Sequence, residues 1–171
     1  STLISISSSK GYSVVTERSA VLPLGSGMEW AANSEELLLQ QLNRLQNTNR
    51  VMLANAKTGA VKTIFTDRDK AWVEVRYGFT KWIDGGQQFT FVSERDGWRR
   101  VWLISRDGQS VRPVTPGDMD VTRVLQLDKK TRRLFFMGTR SSATQRCLYS
   151  ISLDGTGLRR LSPVKQAGSH S

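Results

Sequence analysis

The sequence predicts an all-β fold, and internal repetition is the first reason. The segment VWLISRDGQSVRPVTP (residues 101–116) aligns without gaps with LYSISLDGTGLRRLSP (148–163), and a looser copy, VMLANAKTGAVKTIFT, covers 51–66. In each copy two apolar-rich runs flank a short turn. Asp-Gly between such runs is a strong hairpin signal, because both residues tolerate positive φ. Each copy therefore predicts two antiparallel strands. The turns are Asp107-Gly108, Asp154-Gly155 and Lys57-Thr58-Gly59.

A second shared pattern lies upstream of each hairpin. The segments MEWAANSEELLLQQLNR (28–44), FTKWIDGGQQFTFVSERD (79–96) and RVLQLDKKTRRLFFMGTR (123–140) each read as a strand, a polar turn and another strand. An arginine follows the second strand every time, as Arg44, Arg95 and Arg140. One unit is thus four antiparallel strands at a period of roughly 45 to 51 residues, which is the size of a β-propeller blade.

The predicted architecture is a partial β-propeller of about three four-stranded antiparallel blades. We expect a first blade over 26–67, a linker and second blade over 68–116, and a third blade over 117–163. Residues 1–25 are expected to be a leader or the end of a preceding blade, and 164–171 a linker toward the next. Since propellers close with roughly four to eight blades, the chain is expected to be an open arc. Its uncovered edge strands predict a homodimer or another edge-strand association.

The arginine-rich segment SERDGWRRVWLISRDG (93–108) fits this scheme as the end of one strand, the next strand and a turn. Strand side chains alternate between the two faces of a sheet. We therefore expect Val101, Leu103 and Trp98 to pack between blades, with the arginines on the opposite face or the rim.

Composition narrows the function. The 171 residues carry a net charge of +10, but the basic residues are spread along the chain without a long run, which favours a solvated basic surface over a specific nucleic-acid site. No apolar run approaches the roughly 18 residues of a membrane-spanning helix, so no membrane contact is expected from this segment. The single cysteine, Cys147, excludes an internal disulfide and is expected to be a buried strand residue.

Catalytic patterns are weak in this sequence. The one histidine, His170, is next to last, and the G-x-S-x-G nucleophile pattern is absent. We therefore expect no catalytic residue, no metal and no cofactor in this chain. Glu35 and Glu36 form an adjacent carboxylate pair, but they occupy a polar turn where the other copies carry Gly-Gly and Lys-Lys, which favours a turn over a site.

Trp72 and Arg76, in KAWVEVRYG, are the candidate binding residues. They lie in a connection between blades, and such connections are where propellers present binding residues. The alternative is structural: Trp72 would pack the linker down and Arg76 would be solvated.

The strings QLNRLQN, SERDGW and ATQRCLYSISLDG, in this order, resemble the propeller of dipeptidyl peptidase IV-like enzymes, serine peptidases of the prolyl oligopeptidase class. The similarity covers 27–171 and is typical of a bacterial member. It implies an eight-bladed propeller followed by an α/β-hydrolase domain with Ser, Asp and His. It further implies a funnel that limits access to peptide ends, with a glutamate pair binding the free N-terminus. Glu35 and Glu36 do not match the context of that pair.

The resemblance places an extended substrate subsite on the loop that follows Trp72, so Arg76 or its neighbours are expected to face peptide substrates of the full-length enzyme. The leading interpretation is a propeller segment of an exopeptidase that releases Xaa-Pro or Xaa-Ala dipeptides, located in the periplasm or cell envelope of a bacterium. The segment would scaffold the enzyme and gate access to the C-terminal hydrolase domain of the same polypeptide. The alternative is a non-catalytic propeller that binds other proteins; nucleic-acid binding through the net charge is a third.

Overall fold

The computed structural model describes residues 28–74, 80–140 and 146–162, and within them twelve strands form an all-β chain. The one helical element in these ranges is a single turn over Asp84–Gly86. The strands are β1 (Met28–Trp30), β2 (Glu36–Leu42), β3 (Thr48–Asn55), β4 (Val61–Arg68), β5 (Lys81–Ile83), β6 (Gln88–Ser93), β7 (Arg100–Ser105), β8 (Val111–Pro113), β9 (Asp120–Asp128), β10 (Arg133–Thr139), β11 (Cys147–Ser152) and β12 (Arg159–Arg160). No helix in the described ranges is long and apolar enough to cross a membrane.

The strands pair into three four-stranded sheets, each an antiparallel meander in sequence order. We call them blade 1 (β1–β4), blade 2 (β5–β8) and blade 3 (β9–β12). The predicted fold class, about three four-stranded antiparallel blades of a partial β-propeller, is confirmed.

The turns of each blade follow from a few side chains that cap backbone N–H groups. Asn33 Oδ1 accepts from the Glu36 N–H at 2.8 Å between β1 and β2, and Asp128 Oδ1 accepts from the Lys130 N–H at 2.9 Å between β9 and β10. Asp154 Oδ1 accepts from the Thr156 N–H at 2.8 Å between β11 and β12. Asn and Asp favour such turns because their short side chains satisfy local backbone donors.

The apolar core lies between the blades, because each blade is one sheet thick and buries residues on a face against its neighbour. One cluster joins blade 1 to blade 2 and contains Leu38, Val51, Phe65, Phe89, Phe91, Trp102 and Ile104. The other joins blade 2 to blade 3 and contains Val101, Leu103, Leu134, Phe136, Tyr149 and Ile151. Cys147 is buried in this second cluster, as expected.

Strand β7 shows how one strand serves both interfaces. Trp102 and Ile104 face blade 1, whereas Val101 and Leu103 face blade 3, which is the two-residue alternation of a strand buried on both sides. The prediction that Val101 and Leu103 pack between blades is confirmed. The same prediction for Trp98 is wrong: Trp98 precedes β7 in a loop and is 40% exposed.

Two arginines of blade 2 connect it to the neighbouring blades. Arg106 of blade 2 reaches blade 1, where it pairs with Glu36 and donates to the Ala31 carbonyl at 3.0 Å. Its guanidinium also lies 5.0 Å from the ring centroid of Trp82. From blade 2 to blade 3, Arg112 donates to the Leu153 carbonyl at 2.8 Å. These contacts give hydrogen-bond donors to carbonyl oxygens that have no partner within the sheets. They also fix the position of each blade relative to the next.

Gly108 marks the closest approach of two blades. It has a positive φ of 77°, and a Cβ atom built on it would lie 1.8 Å from the Ile64 carbonyl oxygen of blade 1. Glycine is therefore required here both by the turn and by the contact between the blades.

We predict that Gly108→Ala destabilises the chain more than Gly85→Ala. Gly85 also has a positive φ, of 64°, but nothing lies within 4 Å of its added Cβ, so it reports the backbone cost alone, about 1–2 kcal/mol. Gly108→Ala adds a steric clash with Ile64 and should cost clearly more. Chemical denaturation of both variants and the wild-type chain measures the difference; equal losses would show that the blades do not meet at Gly108.

Candidate substrate-facing surface

The two ends of the blades carry different connections. One end carries the tight turns between first and second strands and between third and fourth strands; we call it the turn end. The other end carries the loops 43–47 and 94–99 within blades. It also carries the links between blades, which include 69–74 and 114–119; we call it the loop end. The candidate residue Trp72 belongs to the loop end.

Trp72 stands out from the surface of the loop end. Its side chain is 66% exposed. Its backbone is nevertheless fixed, because Asp69 Oδ1 accepts from the Ala71 N–H at 2.7 Å and from the Trp72 N–H at 3.2 Å. Arg76 lies outside the described residues, so its predicted role stays a prediction.

The loop between β2 and β3 supports the segment that carries Trp72. The Val73 N–H donates to the Gln46 carbonyl at 2.6 Å, and the Asp69 N–H donates to the Asn47 carbonyl at 3.1 Å. This loop is itself closed by Asn43, whose Oδ1 accepts from the Asn47 and Thr48 N–H groups at 3.0 Å each. Leu45, at its tip, is 74% exposed.

The loop between β6 and β7 approaches the same segment from blade 2. Arg99 lies 3.5 Å from a Glu74 carboxylate oxygen and 3.9 Å from one of Glu94. Only 16% of the Arg99 side chain is exposed, whereas Glu74 and Glu94 are more open. The Arg99 N–H donates to Asp120 Oδ1 of blade 3 at 2.9 Å. Arg99 therefore links the connection after blade 1 to this loop and to blade 3.

Leu45, Trp72 and Trp98 thus sit on neighbouring segments of one end of the molecule, with the Arg99–Glu74 pair between two of these segments. We call this set the loop-end surface. Large exposed apolar side chains are typical of a binding site when they form one contiguous patch. Within the described ranges no group of three or more His, Cys, Asp or Glu residues could hold a metal ion. The surface is suited to contact an apolar and charged partner such as a peptide.

Leu45 and Trp98 were missed in the sequence because Leu45 reads as part of an apolar run and Trp98 as the start of a strand. A positional signal was present: each lies one to three residues beyond a recurring arginine, Arg44 or Arg95, which marks the end of the second strand. Residues just past that arginine belong to a loop, so a large apolar side chain there has no sheet to pack into.

The turn end holds a groove of about 480 Å³ between blades 1 and 2, with Leu53 and Ile64 among its lining residues. Among its charged residues, Glu36 and Arg106 pair across the two blades, whereas Asp107 accepts hydrogen bonds within its own turn. The hydrogen bond from Arg106 lowers the pKa of Glu36, and the Ser105 hydroxyl lowers the pKa of Asp107. Both carboxyl groups are therefore stable as anions.

The two adjacent glutamates of the turn end do not form a site. Glu35 pairs with Lys57 at 2.9 Å within blade 1, and Glu36 pairs with Arg106 of blade 2. The expectation that this segment is a turn rather than a carboxylate site agrees with these separate partners.

The fold defines a class: three four-stranded blades of a partial β-propeller. The model of the dipeptidyl peptidase IV (DPP IV) N-terminal region matches residues 8–171, and the chain belongs to this family. The resemblance drawn from the sequence is thereby confirmed.

Individual relatives agree with this assignment. The dipeptidyl peptidase 4 of Arthroderma otae is 24% identical over 146 residues, which cover 82% of this chain and 19% of that protein. A probable dipeptidyl peptidase 4 of Aspergillus flavus is 28% identical over 117 residues, or 64% of this chain and 15% of that protein. The crystal structure of Porphyromonas gingivalis dipeptidyl peptidase 4 superimposes with a TM-score of 0.70 at 30% identity, covering 79% of this chain and 19% of that one. The chain thus spans about a fifth of the length of these relatives.

We predict that Asp69→Ala loosens the segment that carries Trp72, because the N–H groups of Ala71 and Trp72 lose their acceptor. Asp69→Asn keeps a side-chain oxygen and should leave the turn intact. Amide hydrogen exchange at Ala71 and Trp72 distinguishes the two variants. Faster exchange is expected in Asp69→Ala alone, and equal protection in both variants would show that Asp69 does not fix this turn.

Proposed function

We propose that this chain is part of the N-terminal propeller of a serine exopeptidase that removes Xaa-Pro or Xaa-Ala dipeptides from the free N-terminus of peptides. Membership of the DPP IV N-terminal family supports this proposal, as do relatives that are themselves named dipeptidyl peptidase 4. The segment would act as scaffold and gate. The nucleophile and its base would come from an α/β-hydrolase domain elsewhere in the same polypeptide.

The loop-end surface is the observation that carries the gating role. Its exposed Trp72 and Trp98 offer flat apolar faces, and Glu74 and Arg99 place opposite charges beside them. An extended peptide presents alternating side chains and unpaired backbone groups, and aromatic faces next to fixed charges can hold both at low entropic cost. Trp72 and Arg76 would then contact the part of the substrate beyond the dipeptide that is released.

Further parts of the proposal concern the whole protein. We place it in the periplasm or cell envelope of a bacterium, where peptide substrates are available. The open edges of the outer blades would be covered by other blades of the same polypeptide, or by a second copy in a homodimer.

The first test is the reactivity of the native polypeptide. An antibody raised against this segment captures the protein from its source cells, and a fluorophosphonate that labels active serine hydrolases is then applied. A labelled band several times longer than this chain is the expected result. An unlabelled band would favour a non-catalytic propeller that binds other proteins. A labelled enzyme should release dipeptides from free Xaa-Pro peptides and not from the same peptides with an acetylated N-terminus.

We predict that Trp72→Ala and Arg76→Ala in the full-length protein raise KM for tri- and tetrapeptides about tenfold, which corresponds to about 1.4 kcal/mol of binding free energy. The control is Lys57→Ala, which removes a well-exposed charge at the opposite, turn end. Substrates that consist of a dipeptide and a small chromogenic leaving group should be affected less, because they do not extend to this surface. Unchanged kinetics of both variants on the longer peptides would remove Trp72 and Arg76 from the site.

A further inference from the structure

Beneath the loop-end surface, a buried carboxyl group joins blade 1 to blade 2. Asp67 is near the end of β4 and is only 3% exposed. Ser93, the last residue of β6, donates its hydroxyl proton to Asp67 Oδ1 at 2.7 Å across the contact between the blades. Within the part of the chain that the structure describes, Asp67 takes part in no ion pair. Among the described residues the Ser93 hydroxyl is the side-chain donor bonded to Asp67, and the Arg68 N–H also interacts with its carboxyl group.

A buried acceptor without a donor lies on the neighbouring strand. Asn49 is fully buried on β3 and is the register partner of Asp67. Its Nδ2 donates to Gln40 Oε1 on β2 at 3.0 Å, but no donor reaches its Oδ1. Side chains directly opposite on paired strands have Cβ atoms about 4.5–5.5 Å apart. Because Nδ2 is engaged on the β2 side, Oδ1 is left for the β4 side, where Asp67 lies.

An amide oxygen and a carboxylate both accept hydrogen bonds, so with Asn49 Nδ2 held by Gln40 they share a buried space favourably only if one proton lies between them. A neutral carboxyl group supplies that proton, since it has one O–H donor and keeps an acceptor oxygen. We propose that Asp67 is a positioning residue that retains its proton. Its Oδ2–H donates to Asn49 Oδ1 while its Oδ1 accepts from Ser93, and this link holds the loop between β6 and β7 against blade 1.

The groups around Asp67 are consistent with a neutral carboxyl. Burial is the largest influence and raises the pKa of Asp67, and the negative charge of Asp69 acts in the same direction. The Ser93 hydroxyl, the Arg95 charge and the Arg68 N–H act in the opposite direction. Arg95 is also shared with aromatic rings, since its guanidinium lies 4.9 Å from the Phe65 centroid. The facing residues Asn49 and Gln40 carry no charge.

Ser93 connects the Asp67 hydrogen bonds to the loop-end surface. Its carbonyl accepts from Trp102 Nε1 at 3.3 Å, and its Oγ accepts from the Arg95 N–H at 3.1 Å. The loop that begins there carries Trp98 and leads to Arg99. The positioning role at the loop-end surface rests on the proposed function, whereas the protonation of Asp67 does not.

The sign of the pH effect follows from linkage. A carboxyl group whose pKa is raised by folding contributes its stability in full below the pKa of the unfolded chain, and this contribution is lost as the pH rises toward the pKa of the folded state. Asp67→Asn mimics the neutral carboxyl, since its amide can donate to Asn49 and accept from Ser93, but it cannot ionise. The wild-type chain should therefore lose stability relative to Asp67→Asn as the pH rises.

Unfolding constants of the wild-type chain, Asp67→Asn and Asp67→Ala are measured between about pH 4 and about pH 8. The ratio of the constants of wild type and Asp67→Asn should rise about tenfold for each unit by which folding raises the pKa. Asp67→Ala, which removes both hydrogen bonds, should be less stable than Asp67→Asn at every pH. A ratio that stays constant, or that moves in favour of wild type with rising pH, would overturn the proposal.

A direct titration keeps the proposal testable if a variant does not fold. Carbon-13 NMR of the wild-type side-chain carboxyl should show that Asp67 loses its proton above the ordinary range of an aspartate. Titration at or below that range would mean that Asp67 is an anion and that Asn49 turns its amide nitrogen toward it, which overturns the proposal. For the positioning role, amide exchange over 94–99 should accelerate with pH more in wild type than in Asp67→Asn. Equal behaviour would refute that role even if dipeptide release is demonstrated.

Discussion

The structure depends on face-to-face packing of sheets that cannot bury their apolar residues alone. Each blade is a single four-stranded sheet, and its large side chains are enclosed only where the next blade covers them. Phe89 and Phe136 are fully buried in this way, and burial of one such side chain contributes about 1.5–3 kcal/mol. Blade 2 has both faces covered by described blades, and its strand β7 alternates between the two clusters. The stability of every blade is therefore a property of its neighbours.

Polar contacts fix the position of each blade relative to its neighbour. At the turn end, Arg106 and Arg112 reach into the adjacent blade and satisfy backbone carbonyls, while the carbonyl oxygen of Ile64 leaves no room for a side chain at Gly108. At the loop end, Ser93 and Asp67 form a buried hydrogen bond across the same pair of blades. Apolar packing allows two blades to slide against each other, whereas these directional contacts do not. They hold the blades in one arrangement at both ends.

The two ends of the blades use their side chains differently. At the turn end, polar side chains such as Asn33 and Asp128 accept hydrogen bonds from the turn backbone, and Arg106 contacts the next blade. The loop end includes the connections between blades, and some of its large side chains are not packed into the sheets. Leu45, Trp72 and Trp98 are exposed there while their backbones are fixed by Asn43, Asp69 and the strand that follows. A rigid backbone that presents apolar side chains is a suitable base for recognising a peptide.

The sequence by itself determined the repeat, the strand pairing within each blade and the family. These follow from local signals: Asp-Gly turns, alternation along strands such as β7, and a specific order of short motifs. Only the tertiary structure decided which side chains meet across blades. Trp98 read as a strand residue and is exposed in a loop, and the neighbouring Glu35 and Glu36 pair with cations from different blades. Contacts such as Asp67 with Ser93 join residues 26 positions apart, and no local pattern records them, because the packing angle of two sheets is set by the sum of their buried faces.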